Sequence, residues 1–389
     1  MSGSKAFKIS FILLAILLSL AKGMTLCSEE SDNFCTKEPD YNKYRNPDYP
    51  NPTTIHLDII IRDILDIDEE KHLFEIVAYS NARWREPRID IRSISVSNPQ
   101  SVIRPTEAEL NEVWTTNPTY PNAAIVSKRF TYNTATRLSG DIWFKYTMVY
   151  KSFLTCAMDF SNYPFDSHTC FWKLRSHYEN SVDTEKLVID TLQSEQDSKI
   201  VTSKDQTLII DSNTLPYHIE LSIGQESIDL AEGVNKSTAS VQFKFTRKNE
   251  GRNELLTGYF VPTGLFATLS LVSYLIKPEI VPGRMGMLVV LFLILTNIHG
   301  TVKGPSSRGF SYVEVWYVGM FIPIVVAIIE YAAVLAAIKY KTETQYESIV
   351  CGKTKMKRLV AHIDMAFMLF NFLFLACFIF GFFIKILSL

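Results

Sequence analysis

The amino-acid sequence predicts an extracellular all-β, immunoglobulin-like sandwich followed by an all-α bundle of four transmembrane helices. Between residues 55 and 248, short alternating or β-branched stretches are separated by turn residues, a spacing typical of an antiparallel sandwich. After residue 254, four apolar stretches of about 20 residues follow, each long enough to cross a bilayer as a helix. Most charged residues precede these stretches, so the average composition, 47% hydrophobic with a net charge of −2, combines a polar part and a membrane part.

The first 23 residues have the pattern of a secretory signal peptide. Lys5 and Lys8 precede an apolar run over residues 9–20, which is too short to span a bilayer. Ala21 and Gly23 are small residues that suit a cleavage site. We therefore expect the chain that follows to be exported.

Four of the six cysteines lie in the part that such a signal exports, where disulfides form. Cys156 and Cys170 enclose thirteen residues, and Cys27 and Cys35 are candidates for a second pair. Asn235 begins the sequon Asn-Lys-Ser, an acceptor for glycosylation in an exported segment.

The four apolar stretches cover residues 255–276, 285–302, 313–338 and 362–386. Between the third and the fourth lies a basic segment with six lysine and arginine residues, which the positive-inside tendency places in the cytoplasm. The N-terminal part then lies outside a multi-pass plasma-membrane protein. The predicted organisation is a signal peptide (1–23), an extracellular domain (24–254), three transmembrane helices (255–338), a short cytoplasmic loop (339–360), and a fourth helix with the C-terminus (361–389).

Several function classes are disfavoured by composition and motifs. The near-neutral charge without a basic patch argues against nucleic acid as a partner. Asp166, His168 and His177 are close in sequence, but no nucleophile elbow, metal-ligand spacing or phosphate-binding loop accompanies them. We therefore expect neither an enzyme nor a metal or other cofactor.

The segment between Cys156 and Cys170 reads AMDFSNYPFDSHT, with an aromatic–proline–aromatic turn followed by Asp166. Taken alone, it is equally well a stapled hairpin turn without a role beyond stability. It resembles, however, the signature loop of the Cys-loop receptors, the pentameric ligand-gated ion channels. The segment WREPRI at 84–89 is similar to the family's W-x-D-x-R-L element, with glutamate in place of aspartate, and Arg247 matches its basic residue before the first membrane helix. The resemblance covers essentially the whole chain after residue 50 and is strongest to divergent, invertebrate-type members of the anion-selective branch.

The resemblance implies a ligand site between neighbouring subunits, lined by aromatic side chains because their faces attract cationic groups. The candidate residues for this site are Tyr79, Trp114, Tyr120, His177 and Tyr178. Ordinary strand packing is the alternative for Tyr79 and Tyr120, and a surface or hydrogen-bonded histidine is the alternative for His177. The hairpin over residues 222–242 contains no aromatic residue, and the absence of a vicinal cysteine pair speaks against a nicotinic principal subunit.

The second apolar stretch has the periodicity of a pore-lining helix. Gly286, Val290, Leu293, Asn297 and Gly300 fall on one stripe at helical spacing. In a five-fold ring, the leucine of this stripe would form a hydrophobic constriction and the asparagine would wet the outer half. A lipid-facing or packing helix is the alternative.

Pro282, Gly283 and Arg284 precede this stripe and resemble the Pro-Ala-Arg of anion-selective members. A helix N-terminus carries partial positive charge, and five copies of Arg284 would add to it, which favours chloride. Alternatively, Arg284 only anchors the helix at the interface. Glu330, an ionisable residue in the third stretch, is expected to face protein or water.

The resemblance therefore implies a subunit of a neurotransmitter-gated channel that conducts chloride and assembles as a homo- or heteropentamer. It also implies a location in the plasma membrane, with the postsynaptic membrane as one such location. Its partners would be a small-molecule transmitter, homologous subunits and the lipid bilayer. Gating would be transmitted by Tyr163, Pro164, Phe165, Asp166, Arg247 and Pro305. Two alternatives are an accessory subunit that binds no agonist and a non-conducting membrane protein used for adhesion or assembly.

Overall fold

The computed structural model describes residues 24, 26–27, 34–94, 102–116, 118–176, 184–211, 214–231, 233–277, 280–302, 305, 310–344 and 352–387. The predicted signal peptide and the candidate ligand residues His177 and Tyr178 lie outside the described residues. The chain divides into two compact units. One comprises Met1–Ala157, Thr169–Asp211 and Ile219–Lys244, and the other comprises Met158–His168, Ser212–His218 and Phe245–Leu389.

The first unit is a β-sandwich, as the sequence predicts. The strands of the chain are β1 (Phe34–Thr36), β2 (Thr53–Asp68), β3 (Leu73–Glu86), β4 (Ile89–Ile91), β5 (Val102–Ile103), β6 (Ala123–Leu138), β7 (Asp141–Thr155), β8 (Ser167–Arg175), β9 (Glu185–Ser194), β10 (Asp197–Val201), β11 (Leu208–Ile210), β12 (Tyr217–Ile223), β13 (Ser227–Ala231) and β14 (Val234–Arg247). The start of β8, the start of β12 and the end of β14 belong to the second unit. A short helix, α1 (Glu107–Asn111), precedes β6. One sheet has the order β10-β9-β2-β3-β7-β6-β5, the second has the order β11-β12-β14-β13 with β8 paired to β14, and β1 pairs with β4.

Alternation along the central strand β3 explains how the two sheets pack. Every second side chain from Phe74 to Glu86 is buried, and these side chains lie on the face of the strand that packs in the core. Phe74 meets Phe243 of the second sheet with ring centroids 5.1 Å apart. Trp84, which is fully buried, stacks on Phe144 of β7 at 5.7 Å. The core therefore lies between the two sheets.

A buried ion pair follows β3 at the motif that resembles W-x-D-x-R-L. Arg88 donates from Nε and Nη2 to the two carboxylate oxygens of Glu86, at 2.8 and 2.7 Å. The Arg88 guanidinium also lies 4.8 Å from the ring centre of Tyr41. Burial raises the pKa of Glu86, although the bonds from Arg88 oppose this. The pair lets two charged side chains occupy the interior.

Two disulfides and one tight turn constrain the chain locally. Cys27 bonds to Cys35, and Cys156 bonds to Cys170. Between β6 and β7, Ser139 and Gly140 have φ values of 53° and 90°, the left-handed backbone that a two-residue hairpin turn requires. Glycine adopts this conformation without steric cost.

The second unit contains four helices that are long and apolar enough to cross a membrane, as the sequence predicts. They are α2 (Asn249–Leu275), α3 (Val281–Thr301), α4 (Tyr312–Thr344, with its apolar part at Tyr312–Lys339) and α5 (Gly352–Leu387, with its apolar part at Val360–Leu387). Helix α2 contains a π-helical turn at Leu256–Phe260, where the N–H of Val261 bonds to the carbonyl of Leu256.

The helices pack through aromatic side chains and one close approach. Trp316 of α4 donates from its indole nitrogen to the hydroxyl of Thr263 in α2, at 2.8 Å, and lies 4.8 Å from the ring of Phe382 in α5. Gly319 of α4 faces the ring of Phe378, and a Cβ atom there would collide with that ring. A small residue at this position therefore lets the phenylalanine ring pack against the backbone of α4.

We expect Arg88→Ala to lower the free energy of unfolding by about 3 to 5 kcal/mol, because it leaves the Glu86 carboxylate buried without its partner. The measurement is denaturant unfolding of the detergent-solubilised chain. Arg85→Ala is the matched control, because Arg85 pairs with Asp141 at a site where its side chain is 49% exposed, and it should cost less than about 1 kcal/mol. Equal losses in the two variants would contradict the assigned role.

Candidate functional site

A cluster of charged and aromatic side chains lies where the disulfide-closed loop, the start of β12 and the end of β14 meet. Tyr163 and Asp166 come from the loop, His168 from the beginning of β8, Tyr217 from the start of β12 and Arg247 from the end of β14. We call these five residues the Arg247 cluster. All belong to the second unit, and Asp166, His168, Tyr217 and Arg247 are buried.

Arg247 is held by an ion pair, a hydrogen bond and two tyrosine rings. Its Nε and Nη2 donate to the two carboxylate oxygens of Asp166 at 2.8 and 3.1 Å, a bidentate ion pair, and Nη2 also reaches the Tyr217 hydroxyl at 2.6 Å. The rings of Tyr163 and Tyr217 each lie 4.7 Å from the guanidinium carbon. The position of Arg247 is therefore fixed by charge, hydrogen bonding and ring contact together.

Asp166 carries the negative charge of the cluster. Burial opposes that charge, but hydrogen bonds with His168, 2.6 Å away, and with Arg247 lower the pKa of Asp166 to about 2. Phe160 lies against the ring of His168, with centroids 4.8 Å apart. The loop is thus tied to the end of β14 by a carboxylate that stays ionised near neutral pH.

The same loop contacts the helices. Tyr163 packs against their hydrophobic core, which includes buried Tyr259, Phe260 and Trp316. Phe165 faces Arg252 of α2, with the guanidinium 5.9 Å from its ring centre. The loop residues predicted to transmit gating therefore touch both the end of β14 and the membrane helices. The Tyr163-Pro164 peptide bond is cis, and Pro305 is the one described residue of the segment 303–309.

The three candidate ligand residues that the structure describes lie in different surroundings. Trp114 is 4% exposed and meets Trp84 edge to face at 6.1 Å, inside the sandwich. Tyr120 stacks on buried Trp172 at 6.0 Å, and burial raises the pKa of Tyr120. Tyr79 lies on the opposite face of β3 from Trp84, because side chains alternate along a strand.

Trp114 is a core residue, and half-buried Tyr120 packs on the core through Trp172; that these two residues line an aromatic box between subunits stays a prediction. Strand packing, the alternative considered for Tyr120, explains its position. Tyr79 is half-buried on the outward face of the larger sheet, opposite to the face that carries Trp84. Asn235, at the start of β14, is exposed and accessible to a glycan.

Helix α3 has one buried and one exposed face. Its buried residues are Arg284, Leu288, Leu291 and Leu295. All five residues of the predicted stripe, Gly286, Val290, Leu293, Asn297 and Gly300, are exposed in the single chain. Leu293 and Val290 are each 53% exposed. The stripe is therefore free to face a pore or another surface.

Arg284, in contrast, is fully buried and does not lie on the exposed stripe. It donates to Glu330 of α4 at 2.6 Å and to Asp364 of α5 at 3.0 Å. Its guanidinium carbon lies 5.2 Å from the ring centre of Tyr274 and 4.6 Å from that of Tyr331. This corrects the expectation that five copies of Arg284 add charge to a pore mouth, because two carboxylates compensate the charge inside the bundle. Glu330 faces protein, as expected.

Sequence reasoning missed two residues of these clusters, Tyr217 and Asp364. Tyr217 has an ordinary strand context, and no sequence signal points to its contact with Arg247. Asp364 is a lone carboxylate in an apolar stretch, and such residues normally face protein or water. That signal was sufficient to predict a partner for Arg284.

Comparison with known proteins gives a family for more than half of the chain. Residues 32–249 match the family described as "Neurotransmitter-gated ion-channel ligand binding domain". This range ends just after Arg247 and includes both disulfide cysteines of the closed loop.

Similar proteins extend the match into the helices. The chain is 25% identical to "Gamma-aminobutyric acid receptor subunit beta" of Lymnaea stagnalis, over 84% of this chain and 66% of that protein. It is also 25% identical to "Acetylcholine-gated chloride channel subunit acc-1" of Caenorhabditis elegans, over 81% of this chain and 65% of that protein. Identity to "Serotonin-gated chloride channel mod-1" of the same organism is 23%, over 70% of this chain and 53% of that protein. The chain thus spans less than two thirds of the length of these relatives.

We expect the Arg247 cluster to lose stability in acid over a defined range. The pKa of Asp166 is about 2 when folded and about 3.9 when unfolded. Its contribution is therefore complete above pH of about 4 and is lost as pH falls through about 2. This should remove about 2 to 3 kcal/mol from the free energy of unfolding, measured by denaturant unfolding of the solubilised chain.

Asp166→Asn should lack this part of the pH dependence, because asparagine does not titrate. Asp159→Asn is the control, since Asp159 lies in the same loop and is exposed, and it should retain the wild-type dependence. If Asp166→Asn and wild type lose stability equally over this range, the ion pair does not act as described.

Proposed function

The chain belongs to the neurotransmitter-gated ion-channel family, the Cys-loop receptors, and on this premise we propose that it is a subunit of a pentameric channel that conducts chloride. The family consists of ligand-gated channels and not of enzymes, in agreement with the sequence analysis. The observation that carries the proposal is the exposed stripe of α3, which combines Leu293 with smaller and polar residues, while the opposite face of the helix packs in the bundle.

In a ring of five subunits, the stripe lines the ion pathway. Five copies of Leu293 form an apolar constriction that blocks ions by excluding water, while Asn297 wets the half beyond it. Ligand binding shifts the population from a closed ring to a wider one, so the agonist binds the open state more tightly. Leu288, Leu291 and Leu295 hold the opposite face of the helix in the bundle.

Chloride selectivity is supported by the start of α3 and by the relatives. The helix begins at Val281, with Pro282 in its first turn and no acidic residue there. Unpaired backbone N–H groups at this end supply partial positive charge. Because Arg284 is neutralised by Glu330 and Asp364, we assign the preference for anions to the helix terminus and not to this side chain. Two of the similar proteins are named chloride channels.

The Arg247 cluster is the proposed transmission element. Arg247 ends β14, two residues before α2 begins at Asn249, and it is paired with Asp166, so displacement of this strand moves the loop with it. Tyr163 of that loop contacts the helix core. The loop therefore provides a mechanical connection from a strand of the ligand-binding domain to the pore helices. We place the channel in the plasma membrane, including postsynaptic membranes, with the sandwich outside.

A second candidate function is an accessory subunit that conducts within a heteropentamer without binding the agonist itself. Two observations favour it: Trp114 and Tyr120 pack on buried aromatic residues, and residues 222–242, which include the turn between β13 and β14, contain no aromatic residue. The half-buried Tyr79 remains a ligand candidate on the outward face. A non-conducting adhesion or assembly protein is the third candidate.

Voltage clamp of cells that express the chain tests all three functions. The test applies amines, amino acids, acetylcholine and protons while external chloride is replaced. For a chloride channel, the reversal potential should move by about 60 mV for a tenfold change in external chloride. A reversal potential that ignores chloride contradicts the proposed selectivity. Currents that appear only with a co-expressed homologous subunit identify the accessory role.

We expect Leu293→Ser to lower the agonist concentration for half-maximal current by about tenfold or to open the channel without agonist, because a hydroxyl admits water to the constriction. Leu293→Arg should abolish the current. Ile294→Ser is the control, because Ile294 is half-buried beside the stripe, and it should gate like wild type. Identical currents in wild type and both Leu293 variants would exclude this residue as the gate.

A further inference from the structure

The hairpin formed by β13 and β14 carries an exposed apolar face near its turn. Ile228 and Leu230 of β13 are 63% and 74% exposed. They lie on the same face of the hairpin, because side chains two residues apart along a strand point to the same side. Both belong to the first unit. Two neighbouring aliphatic side chains that expose more than half of their surface indicate a face that another group covers.

Strand β13 is also an edge strand. It stands at one end of the second sheet, and among the described residues it is hydrogen-bonded to β14 alone. A free edge presents unpaired N–H and C=O groups, to which a strand of another chain can add, and proteins protect such edges with charged side chains or with a cover. The one charged residue of β13, Asp229, lies on the opposite face from Ile228 and Leu230. The apolar face of this edge therefore has no charge of its own strand to protect it.

The cross-strand neighbour of Leu230 is the asparagine of a glycosylation sequon. In the register of the hairpin, Leu230 is directly opposite Asn235. Directly opposite residues share a face of the sheet, with Cβ atoms about 5 Å apart. Asn235 is exposed, and it begins the one Asn-x-Ser/Thr sequence of the chain that has no proline in the middle. The acceptor nitrogen therefore lies beside Leu230, on the apolar face.

Glycosylation of Asn235 starts an oligosaccharide at this position. The side-chain nitrogen forms a bond to the anomeric carbon of an oligosaccharide carried on a lipid pyrophosphate, the lipid pyrophosphate leaves, and the nitrogen loses one proton. The first sugar then lies next to Leu230, and one face of its ring consists of C–H groups. Packing this face on an aliphatic side chain removes apolar surface from water, which is favourable.

We propose that the oligosaccharide on Asn235 docks on Leu230 and Ile228 and so covers the apolar face of this edge strand. The register identifies the occupant, because the attachment atom lies on the same face as the leucine. Ile228 is two residues further along β13, about 7 Å from Leu230, where the following sugars reach it. The docked oligosaccharide also stands beside the free edge of β13 and hinders the addition of another strand. The inference goes beyond the proposed channel function and does not rest on it.

The test uses the full-length chain, expressed in animal cells that add N-linked glycans and purified in detergent. Peptide-N-glycosidase, which hydrolyses the bond between asparagine and the first sugar, is added to the folded chain, and loss of the glycan is followed by gel mobility. We expect one mobility shift, which Asn235→Gln removes. Because a docked sugar shields this bond, a preference of about tenfold for the docked state should slow cleavage by about tenfold.

Leu230→Ser should therefore speed cleavage of the folded chain by about tenfold, whereas Leu230→Ile should stay slow because its aliphatic surface remains. Ile209→Ser is the matched control, since Ile209 is 60% exposed on β11, at the other end of the same sheet. It should be cleaved like wild type. After denaturation all variants should be cleaved at one rate, which separates docking from differences in the attached oligosaccharide.

Three outcomes would overturn the proposal. The first is a chain without a glycan that Asn235→Gln removes, and the second is equal cleavage of folded wild type and folded Leu230→Ser. The third is a loss of oligomers on native gels in Leu230→Ser with unchanged cleavage, which would assign the apolar face to a neighbouring subunit. None of these measurements uses channel current, so their failure is distinct from failure of the proposed channel function.

Discussion

Three buried arginines share one arrangement, and the geometry of both units depends on it. Each guanidinium forms an ion pair with at least one carboxylate and also lies close to at least one tyrosine ring. They are Arg88 with Glu86 and Tyr41, Arg247 with Asp166, Tyr163 and Tyr217, and Arg284 with Glu330, Asp364, Tyr274 and Tyr331. A planar guanidinium can donate hydrogen bonds to a carboxylate and stack on an aromatic ring at the same time, whereas an ammonium group has no planar face to stack. Because an unpaired charge in such surroundings is costly, each set holds its elements in one arrangement.

The three arginine–carboxylate clusters differ in the sequence separation between the arginine and its carboxylate partners. Arg88 and Glu86 are two residues apart and close one end of β3 locally. Arg247 and Asp166 are 81 residues apart, and Arg284 is 46 and 80 residues from Glu330 and Asp364. The longer connections join the loop to β14 and the pore helix to both of its neighbours. Replacing a whole buried pair by apolar residues of similar volume is often neutral for stability, whereas removing one partner alone is costly.

The fold was predictable from local patterns, and the site only in part. Strand alternation and apolar length depend on neighbours in sequence, so the sandwich, the four helices and the stripe around Leu293 follow from them. The element that packs against a given helix or strand face depends on residues far away in the sequence, and local periodicity does not identify them. Arg284 could therefore be placed on α3 but not inside the bundle. Trp114 and Tyr120 show the same limit, since an aromatic residue suits a ligand site and a core equally well.

The π-helical turn at Leu256–Phe260 has a consequence for how α2 is studied. A π turn holds one residue more than an α turn, so the segment before it and the segment after it are rotated by about 100° relative to an uninterrupted helix. A helical wheel drawn through the whole of α2 assigns one of these segments to the wrong face. Cysteine or tryptophan scanning of this helix would accordingly show two periodic patterns with a phase break between Leu256 and Val261, and each half has to be interpreted on its own wheel.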